Sequence, residues 1–387
     1  MTAVLFAVAS LASLPAVAGT VDWAQFRYSL GKDGVNRHEK TLGAKNVSKL
    51  VEVWAAKTKG DIYSSAAIVG GTAYVGSYDG KVYAFNASTG KALWTAATKG
   101  PIMSSPAIVK GVLYVGSLDD NVYAFDASNG AQLWSFPTGD AVRGSPAVRK
   151  GAVYIGSEDG NLYALDAKTG KQIWSAPVGG KMDASPAIAG NTVFAATLSG
   201  TLVALGSNTG NQIWQASPGG ALYSTPSVYK GAVFVGSTNA REYSFNVQTG
   251  AQNWVQTTNG NLWGSQAIDK DVVYVVSGGS ANYECYAFDA ATGSLIWNSA
   301  DIQGELGSPP TVANGVVYFG SKDDNLYALS AKTGALLWNF TTKNQVIASP
   351  VVVNGTVYLG SNDGYLYAFG LKKLSNARRS PVQRSHA

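Results

Sequence analysis

The sequence predicts an all-β fold, an eight-bladed β-propeller made of four-stranded antiparallel blades. Three observations predict it: a composition rich in turn and aromatic residues, a tryptophan that recurs about every 40 residues, and four short alternating runs within each repeat. Only 14% of the 387 residues are charged, and the chain contains 45 Gly, 20 Tyr and 10 Trp. This composition is typical of many short strands joined by tight turns.

The recurring tryptophan is the strongest of these signals. Trp94 begins a series at intervals of 40 residues that continues to Trp254 and then, at intervals of 43 and 41, to Trp297 and Trp338. Each closes a phrase such as Ala164-Leu-Asp166-Ala-Lys-Thr169-Gly170-Lys-Gln-Ile-Trp174, in which Asp and Gly form a turn and the indole covers a neighbouring hairpin. The predicted structural docking residues are Trp54, Trp94, Trp134, Trp174, Trp214, Trp254, Trp297 and Trp338.

Each repeat reads as a four-stranded meander. The unit from Ser105 to Phe136 divides into four alternating runs, separated by Lys110-Gly111, Asp119-Asp120-Asn121 and Asn129-Gly130. Four strands in about 40 residues are typical of a propeller blade and not of a helical or leucine-rich repeat.

Ring closure follows from the two incomplete ends of the repeat array. The first strand of a repeat begins eight times, at Ser65, Ser105, Ser145, Ser185, Thr225, Ser265, Ser308 and Ser349. The last copy ends near Phe369 without a tryptophan strand, whereas Leu50–Trp54 is such a strand with no hairpins before it. We therefore expect the N-terminal strand to complete the C-terminal blade, which also hides two sheet edges.

The predicted domain plan has four parts. Residues 1–18 form an apolar segment ending in Ala16-Val17-Ala18, as expected of a signal peptide; residues 19–49 form a lead-in, 50–370 the propeller, and 371–387 a basic tail. The net charge of the whole chain, +5, equals the summed charge of five tail residues: Lys372, Lys373, Arg378, Arg379 and Arg384. We expect this tail to be solvated and disordered, and the alternative is that it contacts phosphate or lipid headgroups. No later segment could span a membrane.

These features predict a periplasmic or secreted protein that is soluble and monomeric and has no nucleic-acid partner. Cys285 is the only cysteine, so no cysteine follows the predicted signal peptide to carry a lipid anchor. The alternation in Tyr283-Glu-Cys285-Tyr-Ala-Phe288 predicts a strand with a small buried thiol.

A binding rim is predicted from positions that vary at a fixed place in the repeat. In propellers, loops that link the outer strand of one blade to the inner strand of the next face one mouth of the central channel. The predicted rim is Tyr63, Met103, Arg143, Asp183, Tyr223, Trp263, Leu306 and Ile347. The arc from Arg143 to Trp263 joins an ion pair to two aromatic residues, which are enriched in binding hot spots. The alternative is that Arg143 and Asp183 only pair with each other while the aromatic rings plug the channel.

Several chemistries are excluded or weakened. The only histidines, His38 and His386, lie outside the repeats, which argues against a Ser-His-Asp triad, a histidine-rich zinc site or a haem-attachment motif. We predict no metal site. The recurring hairpin acids are interpreted as turn formers, with calcium binding or catalysis as the alternative; they are Asp79, Asp119, Asp159, Asp323 and Asp363.

The phrases Ala164–Trp174 and Ala287–Trp297 resemble the tryptophan-docking motif of pyrroloquinoline-quinone (PQQ)-like propellers. The lead-in Asp22-Trp23-Ala-Gln-Phe26-Arg27 is similar to the start of many secreted members, and the resemblance covers about 22–369. One branch of this superfamily contains dehydrogenases that hold the quinone and calcium at the channel mouth. Another contains non-enzymatic scaffolds related to the outer-membrane assembly lipoprotein BamB.

The dehydrogenase pattern is poorly met. One cysteine cannot supply the vicinal cysteine pair of that branch, and Gly279 stands where its calcium-binding asparagine is expected. By the same resemblance, Asp301 or Glu305 would be the catalytic acid. We therefore expect a non-catalytic exported propeller, without cofactor, that binds a protein partner through the rim. The alternatives are a PQQ- and calcium-dependent alcohol or sugar dehydrogenase, or a cofactor-binding remnant of one, and a carbohydrate or small-ligand binder that uses Tyr223 and Trp263.

Overall fold

The structure, a computed structural model, describes residues 21–278, 283–299, 302 and 308–372. These residues form eight antiparallel sheets, one per blade, which confirms the predicted eight-bladed propeller. Blade 1 consists of β3 (Ala67–Val69), β4 (Thr72–Ser77), β5 (Lys81–Asn86) and β6 (Ala92–Ala97), and blade 2 of β7 (Ala107–Val109), β8 (Val112–Gly116), β9 (Asn121–Asp126) and β10 (Gln132–Pro137). Blade 3 consists of β11 (Ala147–Arg149), β12 (Ala152–Gly156), β13 (Asn161–Asp166) and β14 (Gln172–Pro177), and blade 4 of β15 (Ala187–Ala189), β16 (Thr192–Ala196), β17 (Leu202–Gly206) and β18 (Gln212–Ala216).

The second half of the ring repeats this arrangement. Blade 5 consists of β19 (Ser227–Tyr229), β20 (Ala232–Ser237), β21 (Arg241–Asn246) and β22 (Gln252–Thr257). Blade 6 consists of β23 (Ala267–Asp269), β24 (Val272–Val276), β25 (Cys285–Asp289) and β26 (Leu295–Ser299), and blade 7 of β27 (Thr311–Ala313), β28 (Val316–Gly320), β29 (Asn325–Ser330) and β30 (Leu336–Thr341). Blade 8 has β31 (Val351–Val353), β32 (Thr356–Gly360) and β33 (Tyr365–Leu371). A short β1 (Val35–Asn36) and a 3-10 helix (Val47–Lys49) precede β2 (Leu50–Lys57).

Ring closure occurs as predicted. Strand β2 pairs antiparallel with β33, in a register that runs from Leu50 opposite Leu371 to Lys57 opposite Tyr365. The N-terminal strand is therefore the outer strand of the C-terminal blade.

The second strand of a blade is buried along its length, whereas the outer strand is partly exposed. All six residues of β4 are buried, while the outer strand β14 has both exposed and buried positions. A strand packed between two neighbouring blades is covered on both faces, while the outer strand contacts solvent.

Each docking tryptophan lies over the next blade. The indole Nε1 of Trp134 donates to the Ala167 carbonyl (3.1 Å), and the ring covers Gly170, where a Cβ would lie 2.7 Å from it. The same hydrogen bond and glycine contact are made by Trp54, Trp94, Trp174, Trp214, Trp254 and Trp297. Trp338 departs from the predicted pattern and packs against Phe340 and Phe369. The reason is that β33 is not followed by a turn into a fourth strand, since β2 takes that place.

The lead-in crosses one end of the central channel and contacts every blade. The middle residue of six inner strands donates its N–H to a lead-in carbonyl: Ile68 to Trp23, Ile108 to Ala24, Ile188 to Leu30, Val228 to Gly31, Ile268 to Asp33 and Val312 to Gly34. In blade 3 the Gln25 side chain bonds both backbone groups of Val148, and in blade 8 the Asn36 amide donates to the Val352 carbonyl (2.8 Å). Strand β1 also pairs parallel with β27. We call this side the sealed face and the opposite side the open face.

Two cations of the lead-in are completely buried in the channel. The Arg27 guanidinium donates to the carbonyls of Pro310 and Gln266, and the Lys32 ammonium donates to the Phe26 carbonyl (3.1 Å). Burial lowers the pKa of Arg27 to about 9, although Asp33 opposes the shift. Burial, with the charge of Arg27 as the second cause, lowers the pKa of Lys32 to about 7.

Candidate functional site

A ring of hydroxyl groups surrounds the channel below the open face. The backbone N–H of Ser65 donates to the Ser105 hydroxyl of the next blade (2.9 Å), and the same link joins 105 to 145, 145 to 185, 185 to 225, 225 to 265 and 349 to 65. Blade 7 interrupts the ring with Pro309. The repeat of blade 7 therefore begins one residue after Ser308, the start predicted from the sequence.

The rim residues stand above this ring and enclose one funnel. Its volume is about 160 Å³, and Phe26 of the lead-in forms its floor. The described rim residues that line it are Tyr63, Met103, Arg143, Asp183, Tyr223, Trp263 and Ile347. The remaining predicted position, Leu306, lies outside the described residues.

Arg143 is the centre of a charged network on the funnel wall. Its Nε pairs with Glu158 and lies 3.9 Å from the Asp183 carboxylate, and its Nη1 donates to the Met103 sulfur (3.1 Å). Glu158 also accepts from Lys181 (3.0 Å). Sequence reasoning identified the Arg143–Asp183 pair but missed Glu158. Glu158 follows Ser157 at a turn position where blades 1 and 2 have Tyr78 and Leu118. This position also varies from blade to blade, so comparing it across the repeats, as was done for the rim, would have identified Glu158.

The two carboxyl groups of this network titrate differently. Burial raises the pKa of Asp183 to about 6, against the opposing effect of the Arg143 charge, and its Oδ1 is buried without a hydrogen-bond partner. Burial acts in the same direction on Glu158, but hydrogen bonds from Arg143 and Lys181 outweigh it and lower its pKa. Glu158 is therefore the stronger partner of Arg143.

Aromatic residues line the funnel on both sides of the charged network. The rings of Tyr223 and Trp263 lie 4.5 Å apart between centroids, and Trp263 is 37% exposed. Tyr63 contacts the exposed ring of Tyr78 at 5.5 Å. These rings lie on the wall, while Phe26 and the rest of the lead-in close the channel below them.

The repeated hairpin acids hold loops together. Asp119 accepts from the Tyr123 hydroxyl (3.0 Å) and from the backbone N–H of Lys99 in the preceding interblade loop (2.7 Å). Asp363 makes the equivalent bonds with Tyr367 (2.6 Å) and Lys343 (3.1 Å). In the described part of the chain, no group of three or more His, Cys, Asp or Glu side chains is placed to hold a metal ion.

The positions that the dehydrogenase resemblance implies, Asp301, Glu305 and Gly279, lie outside the described residues. Cys285 is buried, and burial raises the pKa of its thiol. None of the described helices is long and apolar enough to cross a membrane.

The described funnel does not fit PQQ, a flat tricyclic molecule with three carboxylates. Arg143 is the only cation among the described residues that line the funnel, and it already contacts two carboxylates. The volume of about 160 Å³ is below the roughly 300 Å³ at which pockets for such ligands begin.

Solved structures with this fold include a BamB protein and alcohol dehydrogenases. BamB from Moraxella catarrhalis is 20% identical, with a TM-score of 0.73 over 87% of this chain and 99% of that one. Quinohemoprotein alcohol dehydrogenases from Comamonas testosteroni (17% identity, TM-score 0.79, 90% and 80% coverage) and Pseudomonas putida (17%, 0.78, 94% and 82%) are also similar. At these identities the likeness establishes the fold alone.

Sequence comparison establishes the family. No curated protein matches the chain. The sequence profile described as "Outer membrane protein assembly factor BamB" matches residues 51–185, 159–285 and 281–377, which together cover the propeller. The chain belongs to the family of the outer membrane protein assembly factor BamB.

Proposed function

We propose that this chain is an exported, non-catalytic scaffold that works as a monomer without cofactor or nucleic acid and binds a protein partner at the open face. The observation that carries this proposal is that the lead-in occupies one end of the channel, so the recognition residues are concentrated at the other. The family name, an assembly factor, also supports binding of other proteins.

The composition of the open face supports a protein partner. Trp263 and Tyr78 are 37% and 45% exposed, and Arg143 stands on the same rim, paired with the carboxylates of the network. Tryptophan, tyrosine and arginine dominate binding hot spots because large rigid rings and a planar guanidinium gain much contact for little conformational entropy. The funnel would receive one side chain of the partner while the surrounding rim provides the wider contact.

Site-specific photocrosslinking tests this proposal in the cells that produce the protein. A photoreactive phenylalanine analogue replaces Tyr63, Tyr223 or Trp263, and the adducts are identified by mass spectrometry. We expect one and the same protein to be captured from all three positions. Arg143→Ala should then reduce capture from Trp263 at least about tenfold, which corresponds to a loss of about 1.4 kcal/mol of binding free energy.

The outer strands provide matched control positions. Leu133, Ile173 and Ile213 are 51%, 52% and 53% exposed and lie at equivalent places on three blades, far from the channel. Capture of the same protein from these positions, or no capture from the rim, would refute the proposal.

A cofactor-binding role is the second candidate, because quinohemoprotein dehydrogenases share the fold at TM-scores of 0.78 and 0.79. Titration of the protein with PQQ and calcium, followed by calorimetry, separates the two. Calcium-dependent stoichiometric binding would support the cofactor role, and we expect no binding.

A further inference from the structure

The charged residues of the propeller are unevenly divided between its two faces. Strand direction assigns each residue to a face: interblade loops and second-to-third-strand turns lie at the open face, and the other two turns lie beside the lead-in. The contacts agree, because the Gly70 N–H donates to Asp22 (3.1 Å) and the Gly355 N–H to Glu39 (2.9 Å). The chain reaches its last described residue, Lys372, at the sealed face.

The sealed face has a large cationic excess. Its basic residues that are not buried are Arg37, Lys40, Lys45, Lys49, Lys91, Lys110, Arg149, Lys150, Lys168, Lys171, Lys230, Lys270, Lys332 and Lys372. Its acidic residues that are not buried are Asp22, Glu52, Asp126, Asp166, Asp269, Asp271 and Asp289. The basic residues thus outnumber the acidic ones two to one.

The open face has the opposite sign. Its basic residues that are not buried are Lys57, Lys59, Lys81, Lys99, Arg143, Lys181, Arg241, Lys322 and Lys343. Its described acidic residues that are not buried are Asp61, Asp79, Asp119, Asp120, Asp140, Glu158, Asp159, Asp183, Asp323, Asp324 and Asp363. The difference is 14 − 7, or +7, on the sealed face and 9 − 11, or −2, on the open face, so the two faces differ in sign although the whole chain carries a net charge of only +5.

We propose that the sealed face binds a bilayer surface that carries anionic lipid headgroups. The basic residues lie on turns around the whole ring, in blades 1, 2, 3, 5, 6, 7 and 8, and not along one groove. A flat anionic surface can meet charges spread over a ring at the same time, whereas a nucleic-acid strand would follow a stripe. The acidic open face would then point away from the bilayer, free for a partner.

The repeat supplies a variant that removes charge without disturbing the backbone. Lys110, Lys150, Lys230 and Lys270 all have positive φ, between 41° and 52°, at the turn after the inner strand. Blades 7 and 8 have Asn314 and Asn354 at this position, with φ of 45° and 54°. Asparagine tolerates this left-handed conformation, so Lys→Asn at the four positions copies a native turn.

The test is vesicle co-sedimentation of the full mature chain. We expect binding to vesicles of phosphatidylcholine mixed with phosphatidylglycerol, no binding to phosphatidylcholine alone, and release by salt. Each lysine near an anionic surface contributes roughly fivefold, so the variant K110N/K150N/K230N/K270N should bind at least about tenfold more weakly. The control K59N/K81N/K99N/K343N, which removes four lysines from the open face, should bind like the unmodified chain.

Four results would overturn the proposal. The first two are absence of binding to the anionic vesicles, and unchanged binding of the sealed-face variant, which would leave the basic C-terminal sequence as the sole contact. The other two are equal losses of binding in both variants, and tighter binding to a DNA duplex than to vesicles at the same salt concentration. None of these measurements depends on a protein partner, so failure here leaves the proposed function separately testable.

Discussion

Glu242 occupies a position that other blades fill with an apolar side chain. Its counterparts in the third strands of other blades are Leu162, Leu202 and Leu326, which pair with the small residues Gly156, Ala196 and Gly320 as Glu242 pairs with Gly236. Its side chain is completely buried beside Leu262 and Gly236, and neither carboxylate oxygen has a hydrogen-bond partner. Burial raises its pKa well above the ordinary value of 4.5, with an opposing effect from the Gln266 amide. A buried polar group without partners costs about 1–3 kcal/mol of stability.

Replacement of Glu242 by leucine should therefore stabilise the protein, and more so as the pH rises. A carboxyl group whose pKa is raised by folding binds more protons in the folded state, so its contribution to stability is retained below about 4.5 and lost as the pH rises through the folded-state pKa. In denaturant unfolding at neutral pH we expect Glu242→Leu to gain about 1–3 kcal/mol. Glu242→Gln, which keeps the shape without ionising, should remove the same pH dependence. Parallel pH profiles for the three proteins would disprove this account.

At the scale of the strand and turn, the tryptophan dock joins each blade to the next. Two contacts stabilise it: the apolar ring packs on a glycine of the turn, and the indole N–H donates to a backbone carbonyl of the same turn. For Trp134 these are Gly170 and the carbonyl of Ala167, three residues before that glycine. Gly170 has a φ of 71°, which other residues rarely adopt, and the indole leaves no room for a Cβ, so glycine is required here on both counts.

The exceptional Trp338 makes this dock measurable. Trp134→Phe keeps an aromatic ring but loses the hydrogen bond, which should cost about 1 kcal/mol in addition to the smaller ring. Trp338→Phe loses no such bond, because Trp338 packs against Phe340 and Phe369. Thermal unfolding should thus show a clearly larger loss for Trp134→Phe. Equal losses would mean that the hydrogen bond contributes nothing.

The elements that repeat were predictable, and those that do not repeat were not. Eight copies of one pattern locate the strands and seven of the eight docking tryptophans. The two misplaced positions, Trp338 and the start of blade 7 at Ser308, lie in a copy that departs from the pattern. The lead-in has no second copy and no hydrophobic period. Its path depends on left-handed backbone at Arg27, Tyr28 and Lys32 (φ of 63°, 69° and 59°) and on bonds to residues far along the chain. The sequence contains no local signal for such contacts.

At the scale of the whole molecule, the lead-in makes the ring asymmetric. One end of the channel is filled by the lead-in, which contacts all eight blades, and the other end is a funnel lined by a charged network and by aromatic rings. Because seven of the eight inner strands donate a backbone N–H to the lead-in, its removal would leave those groups without acceptors near the axis.

Deletion of residues 22–36 should therefore be visible by hydrogen exchange. We expect faster exchange at the inner-strand amides of Ile68, Ile108, Val148, Ile188, Val228, Ile268 and Val312, and little change in the outer strands, because β2 and β33 still close the ring. The inner strand of blade 8 is an internal control, since its Val352 contributes a carbonyl and not an N–H to the lead-in. Gln25→Ala should affect Val148 alone, because only this side chain links the lead-in to blade 3. If all eight inner strands stayed protected after the deletion, the lead-in would not be seated on them in solution; if every strand lost protection, it would be required for the ring itself.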